Sequence, residues 1–177
     1  MKQPNVKKMV TAALLLAIGM VLPFFTGQIK EIGNMLLPMH LPVMLCGLIC
    51  GWQYGLAVGL ILPLLRSISF GMPVLYPTAV SMAFELATYG FVIGLIFGKS
   101  RWKCVRSLYI SLLSAMICGR LVWGGVQCVL LGVKGFTFHM FLAGALLNAI
   151  PGIVLQLILI PAIMLLLHRK EKKDATD

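Results

Sequence analysis

Charge is what this sequence has least of. Asp, Glu, Lys and Arg make up 11% of the 177 residues, against 60% hydrophobic residues, and the mean hydropathy is +0.98. A soluble domain of this length needs far more polar surface, so an ordinary water-soluble fold is excluded. Catalytic signatures are missing as well. No glycine-rich phosphate loop precedes a lysine, no His-Glu-x-x-His appears, no carboxylates are paired, and no Ser or Cys has an evident base. Nothing in the residues therefore supports an enzyme. The five cysteines (Cys46, Cys50, Cys104, Cys118 and Cys128) are an odd number, and four lie in apolar segments. Cys46 and Cys50 share a helix face at i, i+4, yet no His or carboxylate clusters with them. They read as small packing residues rather than metal ligands or disulfides. The two halves show no useful repeat, which disfavours a transporter built from inverted repeats.

Long apolar runs are what the chain does have. At about 20 residues per membrane span, six helices and short loops use the whole length and leave no soluble catalytic or nucleotide-binding domain. Spans are expected at about 9–26, 36–52, 55–70, 76–98, 107–132 and 140–168, making 1–177 a single all-α, six-helix transmembrane domain. The breaks are physical. Gly27 to Asn34 is polar, Gly51-Trp52-Gln53-Tyr54-Gly55 reads as a tight turn, and Gly71-Met72-Pro73 punctuates the next gap. Lys99 to Arg106 is a charge run, and Gly132 to Gly135 closes the fifth span. The basic, then apolar N-terminus lacks a clean small-residue cleavage site, so it is read as a retained first span rather than a signal peptide.

The net charge of +10 suggests nucleic acid only until its distribution is examined. With both termini on one side, that side carries Lys2, Lys7, Lys8, Lys99, Arg101, Lys103, Arg106, Arg169, Lys170, Lys172 and Lys173. The other side carries only Lys30 and Lys134. Positive residues stay inside, so both termini are expected in the cytoplasm.

Three ionic residues, Arg66, Glu85 and Arg120, interrupt the apolar spans. Each costs about 2.5–3.5 kcal/mol at bilayer depth on the insertion scale, which makes a ligand path the default hypothesis. At 1.5 Å per residue, Glu85 lies about 13 Å, Asn148 about 12 Å and Arg120 about 18 Å from the outer ends of their spans, with Arg66 about one turn in. Arg120, Trp123 and Gln127 share one stripe; Thr78, Ser81, Glu85 and Tyr89 share a second; Asn148 and Gly152, with Gln156, form a third. Such convergence describes an outer-half pocket for a small polar molecule. A bare Glu85–Arg120 salt bridge without ligand is the competing reading, and it leaves Arg66 unpaired unless it snorkels to the headgroups. Pro38 and Pro42 bracket His40 at the start of the second span, where helix regularity should fail and His40 becomes a candidate ligand. Pro151 and Pro161 are expected to kink the last span.

Small residues recur every four positions: Ala13 and Ala17, Gly47 and Gly51, Gly55 and Gly59, and Gly90, Gly94 and Gly98. They allow close helix packing, either within the bundle or against another membrane protein. Together with Ala13-Leu14-Leu15-Leu16-Ala17 and the stretch from Leu37-Pro38-Met39-His40 to Gly51-Trp52-Gln53-Tyr54-Gly55, six spans in so short a chain resemble the substrate-binding S component of energy-coupling factor (ECF) vitamin transporters. The resemblance implies a helical S-component bundle in the bacterial plasma membrane. It also implies that Ala13 and Ala17 contact a transmembrane coupling subunit, and that the loop at about Thr26 to Met35 roofs an external vitamin cavity. Two ATPase subunits would use ATP, and this chain would bind no cofactor itself. The family's mechanism then applies: capture outside, toppling against the coupling subunit, inward release and resetting by ATP.

The substrate-binding candidates are Glu85, Arg120, Asn148, Trp123, Tyr89, Gln127, His40 and Arg66. Two arginines against one glutamate lean towards an anionic vitamin such as pantothenate, since Arg120 can fork onto a carboxylate. Stacking on Tyr89 or Trp123 prefers a flat ring instead, so riboflavin, folate and a thiamine precursor stay open. A stand-alone proton- or ion-coupled carrier using Glu85 is the alternative mechanism, and a membrane scaffold is a third.

Overall fold

The computed structural model describes residues 6–25, 37–100, 105–132 and 149–174, with the side chains of 168–174 left aside. All regular structure among these residues is helical. Helix α1 (Val6–Val21) runs into a short 3-10 turn at Leu22–Phe24. It is followed by α2 (His40–Cys50), α3 (Trp52–Phe70), a π-helical turn (Leu75–Ala79) leading into α4 (Val80–Lys99), α5 (Val105–Leu131) and α6 (Ile150–Asp174). Helix is the form such apolar segments must take in lipid, because it satisfies every backbone N–H and C=O within the segment.

Among the described residues, five helices are long and apolar enough to cross a membrane: Val6–Phe24, Trp52–Phe70, Leu75–Lys99, Val105–Leu131 and Ile150–Leu167. The expected second span, 36–52, differs. Its helix α2 has 11 residues, about 16 Å of rise against a hydrocarbon core of about 30 Å. The cause is local. Leu37 adopts a positive φ of 48° and Pro38 and Met39 form a turn, so the helix cannot begin before His40. Pro42 falls in the first turn, where a missing N–H breaks no helical hydrogen bond. At the other end Gly51 takes φ 99°, a conformation few side chains tolerate, and its N–H reaches the Gly47 carbonyl. The turn expected over Gly51 to Gly55 thus shrinks to Gly51, and α3 starts at Trp52. Every residue of α2 except Ile49 is buried, so it is an interior helix.

The later helices run over Trp52–Phe70, Leu75–Lys99 and Val105–Leu131, beside the expected 55–70, 76–98 and 107–132; α6 is described only from Ile150, and the expected start at 140 lies outside the described residues. Pro151 sits in the first turn of α6, and the helix continues through Pro161. The expected topology residues Lys2, Lys30, Arg101, Lys103 and Lys134 also fall outside, as do the Thr26 to Met35 loop and Cys104.

Helix α4 is the axis of the bundle, packed against α2, α3 and α5, while α1 lies on α2 and α3, and α6 on α5 and α2. Glycines make this possible. Cβ atoms built on Gly47 and Gly55 would each come within 2.7 Å of the Gly90 carbonyl oxygen, and one on Gly90 would overlap the backbone of Gly55. Gly59 meets the Leu86 backbone and Gly94 the Trp52 backbone in the same way. Most of the glycine spacing is therefore internal packing among α2, α3 and α4. Gly51 and Gly98 have open space around them. Helix α1 differs: Ala12, Leu15 and Gly19 face the bundle, while Ala13 and Ala17 are exposed.

Candidate functional site

Three helices bring polar groups onto one carboxylate oxygen. Glu85, on α4, is 1% exposed. Its Oε1 accepts a hydrogen bond from the Tyr89 hydroxyl at 2.9 Å, one turn along the same helix. Arg120 Nη1, from α5, lies 2.9 Å from the same oxygen. His40 Nε2, the first residue of α2, stands 3.5 Å away, a contact rather than a made hydrogen bond. The imidazole also packs on Tyr89, with ring centres 5.3 Å apart. Tyr89 in turn lies against Gly119, where a Cβ would overlap its ring. Thus a bare glycine beside Arg120 lets the tyrosine reach the glutamate.

A second cluster extends along α5 towards its C-terminus. Gln127 Nε2 donates to Ser81 Oγ at 3.2 Å, and Ser81 donates to the Thr78 carbonyl at 2.9 Å. Among the described residues, four buried side-chain polar atoms have no hydrogen-bond partner: both His40 ring nitrogens, Arg120 Nη2 and Gln127 Oε1. Buried polar atoms are nearly always satisfied, so the orphans on His40 and Arg120 beside the Glu85 carboxylate, and the one on Gln127 in the adjoining cluster, mark this region as the candidate site. Trp123 occupies the same stripe of α5 between Arg120 and Gln127 and is half-buried. Gln156, expected on the third stripe, is 2% exposed and reaches the Leu37 carbonyl at 3.5 Å, joining α6 to the turn before α2.

Glu85, Arg120, Tyr89 and His40 therefore come together, with Gln127 in the adjoining cluster. Asn148 lies outside the described residues. Arg66 is a correction to the expectation of an unpaired or snorkelling cation. It is 2% exposed, and its Nη1 donates to the Met20 carbonyl near the end of α1. The guanidinium carbon sits 5.0 Å from the Phe24 ring centre and 5.3 Å from that of Phe70. A carbonyl at a helix C-terminus carries partial negative charge and lacks its own helical partner. Arg66 caps α1 within an aromatic sleeve, which keeps it apart from the Glu85 group.

Two residues that matter were outside the expected site. Ser81 appeared on its stripe but not as the acceptor for Gln127. Gly119 carried only the weak signal of a small residue preceding a membrane arginine. Among the described residues, no group of three or more His, Cys, Asp or Glu side chains could hold a metal ion. Cys46 and Cys50 are buried, Cys118 is exposed and Cys128 is half-buried, all as free thiols.

Comparison with protein families matches residues 7–164 to the model for the ECF transporter, substrate-specific component. The chain belongs to that family. No match is found among curated proteins or among solved structures.

Proposed function

We propose that this membrane protein is the substrate-capturing subunit of an ATP-driven ECF importer, taking up a water-soluble vitamin or related small molecule from outside the cell. The observation that carries the reading is the buried Glu85, Arg120, Tyr89 and His40 cluster with its unpartnered polar atoms, inside a chain of the ECF substrate-specific family. Charged groups at membrane depth are retained where they hold something. In this reading the chain is one domain in the bacterial plasma membrane with six membrane-inserted segments and cytoplasmic termini. Glu85, Arg120, Tyr89, His40, Trp123, Gln127 and Asn148 line the external site, and Arg66 is left at the end of α1 as a structural cap.

ECF substrate-specific components work with a coupling subunit and ATPases. Here the coupling subunit would sit on the exposed Ala13 and Ala17 face, and two ATPases would supply the energy, so that the chain itself needs no cofactor. Toppling against the coupling subunit would carry the ligand inward. Pantothenate, riboflavin, folate and a thiamine precursor are the candidate ligands. The decisive experiment is mass spectrometry of small molecules released from gently purified protein, with co-purifying subunits identified in parallel. The reading requires a stoichiometric vitamin-like ligand and ATPase partners; a protein that carries no ligand and no partner would overturn it. Uptake by this chain alone in ATPase-free vesicles, lost in Glu85→Gln, would favour the stand-alone carrier instead.

A further inference from the structure

We infer that the ligand meets this site through an uncharged hydrogen-bonding face, with an acceptor turned to Arg120 and a donor turned to Gln127, rather than through a carboxylate or phosphate. The inference rests on the capture reading above and deepens it. Its starting point is where the cationic charge has gone. Two arginines against one glutamate suggested a free cation awaiting an anion. Instead, Arg120 Nη1 is 2.9 Å from Glu85 Oε1, and Arg66 is occupied by the Met20 carbonyl and two phenylalanine rings. Arg120 and Glu85 cancel, so the site is close to neutral in charge.

An anionic ligand on Arg120 would place a second negative group beside a carboxylate that is already 1% exposed. Like charges sharing a dry site cannot both stay ionised cheaply. A neutral acceptor, such as a ring carbonyl or an amide oxygen, meets no such repulsion. Arg120 Nη2, buried and without a partner, is the donor it would use.

The other end is fixed by Gln127. Its Nε2 is committed to Ser81 Oγ, and Ser81 is committed to the Thr78 carbonyl. This chain of donors orients the amide and leaves Oε1 buried and unpartnered at a residue 7% exposed. An amide oxygen only accepts, so the ligand must supply an N–H or O–H there. Arg120 and Gln127 are seven residues apart on one stripe of α5, which separates their backbones by about 10 Å. Trp123 stands on the stripe between them. A flat heterocycle with an acceptor edge and a hydroxyl- or amide-bearing arm matches that layout. His40, whose Nε2 faces Glu85 Oε1 at 3.5 Å and whose Nδ1 has no hydrogen-bond partner, adds a third polar group to the site.

The test uses the full chain in lipid nanodiscs, with riboflavin as an uncharged probe and pantothenate as a carboxylate probe. It also identifies by mass spectrometry any small molecule released from the purified protein. The expected result is an uncharged released molecule, or riboflavin binding tighter than pantothenate. In Gln127→Met that affinity should fall by about ten-fold or more, the loss expected when a buried hydrogen-bond partner is left unmade. Glu85→Gln should shift the preference towards pantothenate by freeing Arg120. A released carboxylate or phosphate, or tighter pantothenate binding to the wild type, overturns the inference and leaves capture standing. Unchanged affinity in a Gln127→Met protein that elutes and melts like wild type overturns it too. No released molecule and no binding of either probe overturns the inference, and the capture reading falls with it only when no coupling or ATPase subunit co-purifies either.

Discussion

At the scale of residues, Glu85 sets the energetics. Its Oε1 receives the Tyr89 hydroxyl and faces both Arg120 and His40 inside a dry core. Removing one partner of a buried ion pair strands the other, which costs about 3–5 kcal/mol, whereas removing both costs less than the sum. Glu85→Ala should therefore destabilise purified protein by about that much in denaturant or thermal unfolding. Adding Arg120→Met to it should recover part of the loss, and strictly additive effects would mean that the two do not act as a pair. Gly119 gives a second handle because its neighbour is the Tyr89 ring rather than a flexible chain end. Gly119→Ala should cost about 1–3 kcal/mol by overpacking and should also weaken ligand retention, because Tyr89 would be pushed away from Glu85. Native stability together with native ligand occupancy in this variant would show that the ring is free to move elsewhere.

At the scale of elements, glycine contacts and one arginine decide how the helices meet. Gly90 touches the Gly55 backbone, so any side chain there forces α3 and α4 apart. Gly98, on the same stripe of α4, has nothing within 4 Å of a built Cβ. Gly90→Ala should therefore abolish recovery of folded protein from detergent while Gly98→Ala is recovered normally, as read by monodisperse elution. Equal recovery of the two would remove the case for the three-helix glycine contact. Arg66→Met should lower stability by about 1.5–3 kcal/mol through loss of a charged hydrogen bond to the end of α1, with Arg66→Lys intermediate. The helices themselves were legible in the sequence, because lipid leaves an apolar segment little choice but helix. The short α2 was not. Residues 36–52 are apolar apart from His40, and although Pro38 marked an irregular start, the exact first residue is set by the backbone of Leu37 rather than by hydropathy. The Glu85–Arg120 approach could be read from facing stripes and depth. The partner of Arg66 could not, because its acceptor is a main-chain carbonyl that any residue at position 20 would offer. Gly119 was equally silent, since its importance comes from a ring on another helix.

At the scale of the whole molecule, the bundle has an inside and an exposed side, and α1 shows both. Ala12, Leu15 and Gly19 bury against the core, with Gly19 closed over by the Leu62 side chain. Ala13 and Ala17 point the other way, flanked by exposed Val10, Leu14 and Ile18. Lipid alone would accept a bulky apolar residue at either alanine, since no internal neighbour is displaced. A close-packed helix from another subunit would not, because small residues are what allow two backbones to approach in a membrane. Ala13→Trp and Ala17→Trp therefore separate the two environments. Both variants should fold, melt and retain ligand like the wild type, because the substituted positions lie away from the Glu85 cluster and the glycine contacts. Co-purification with a coupling subunit and its ATPases should nevertheless fall sharply, and uptake in whole cells with it. Retained assembly in both variants would place the subunit contact on another face of the bundle, while loss of folding in either would mean that α1 is more deeply enclosed than its exposed alanines indicate.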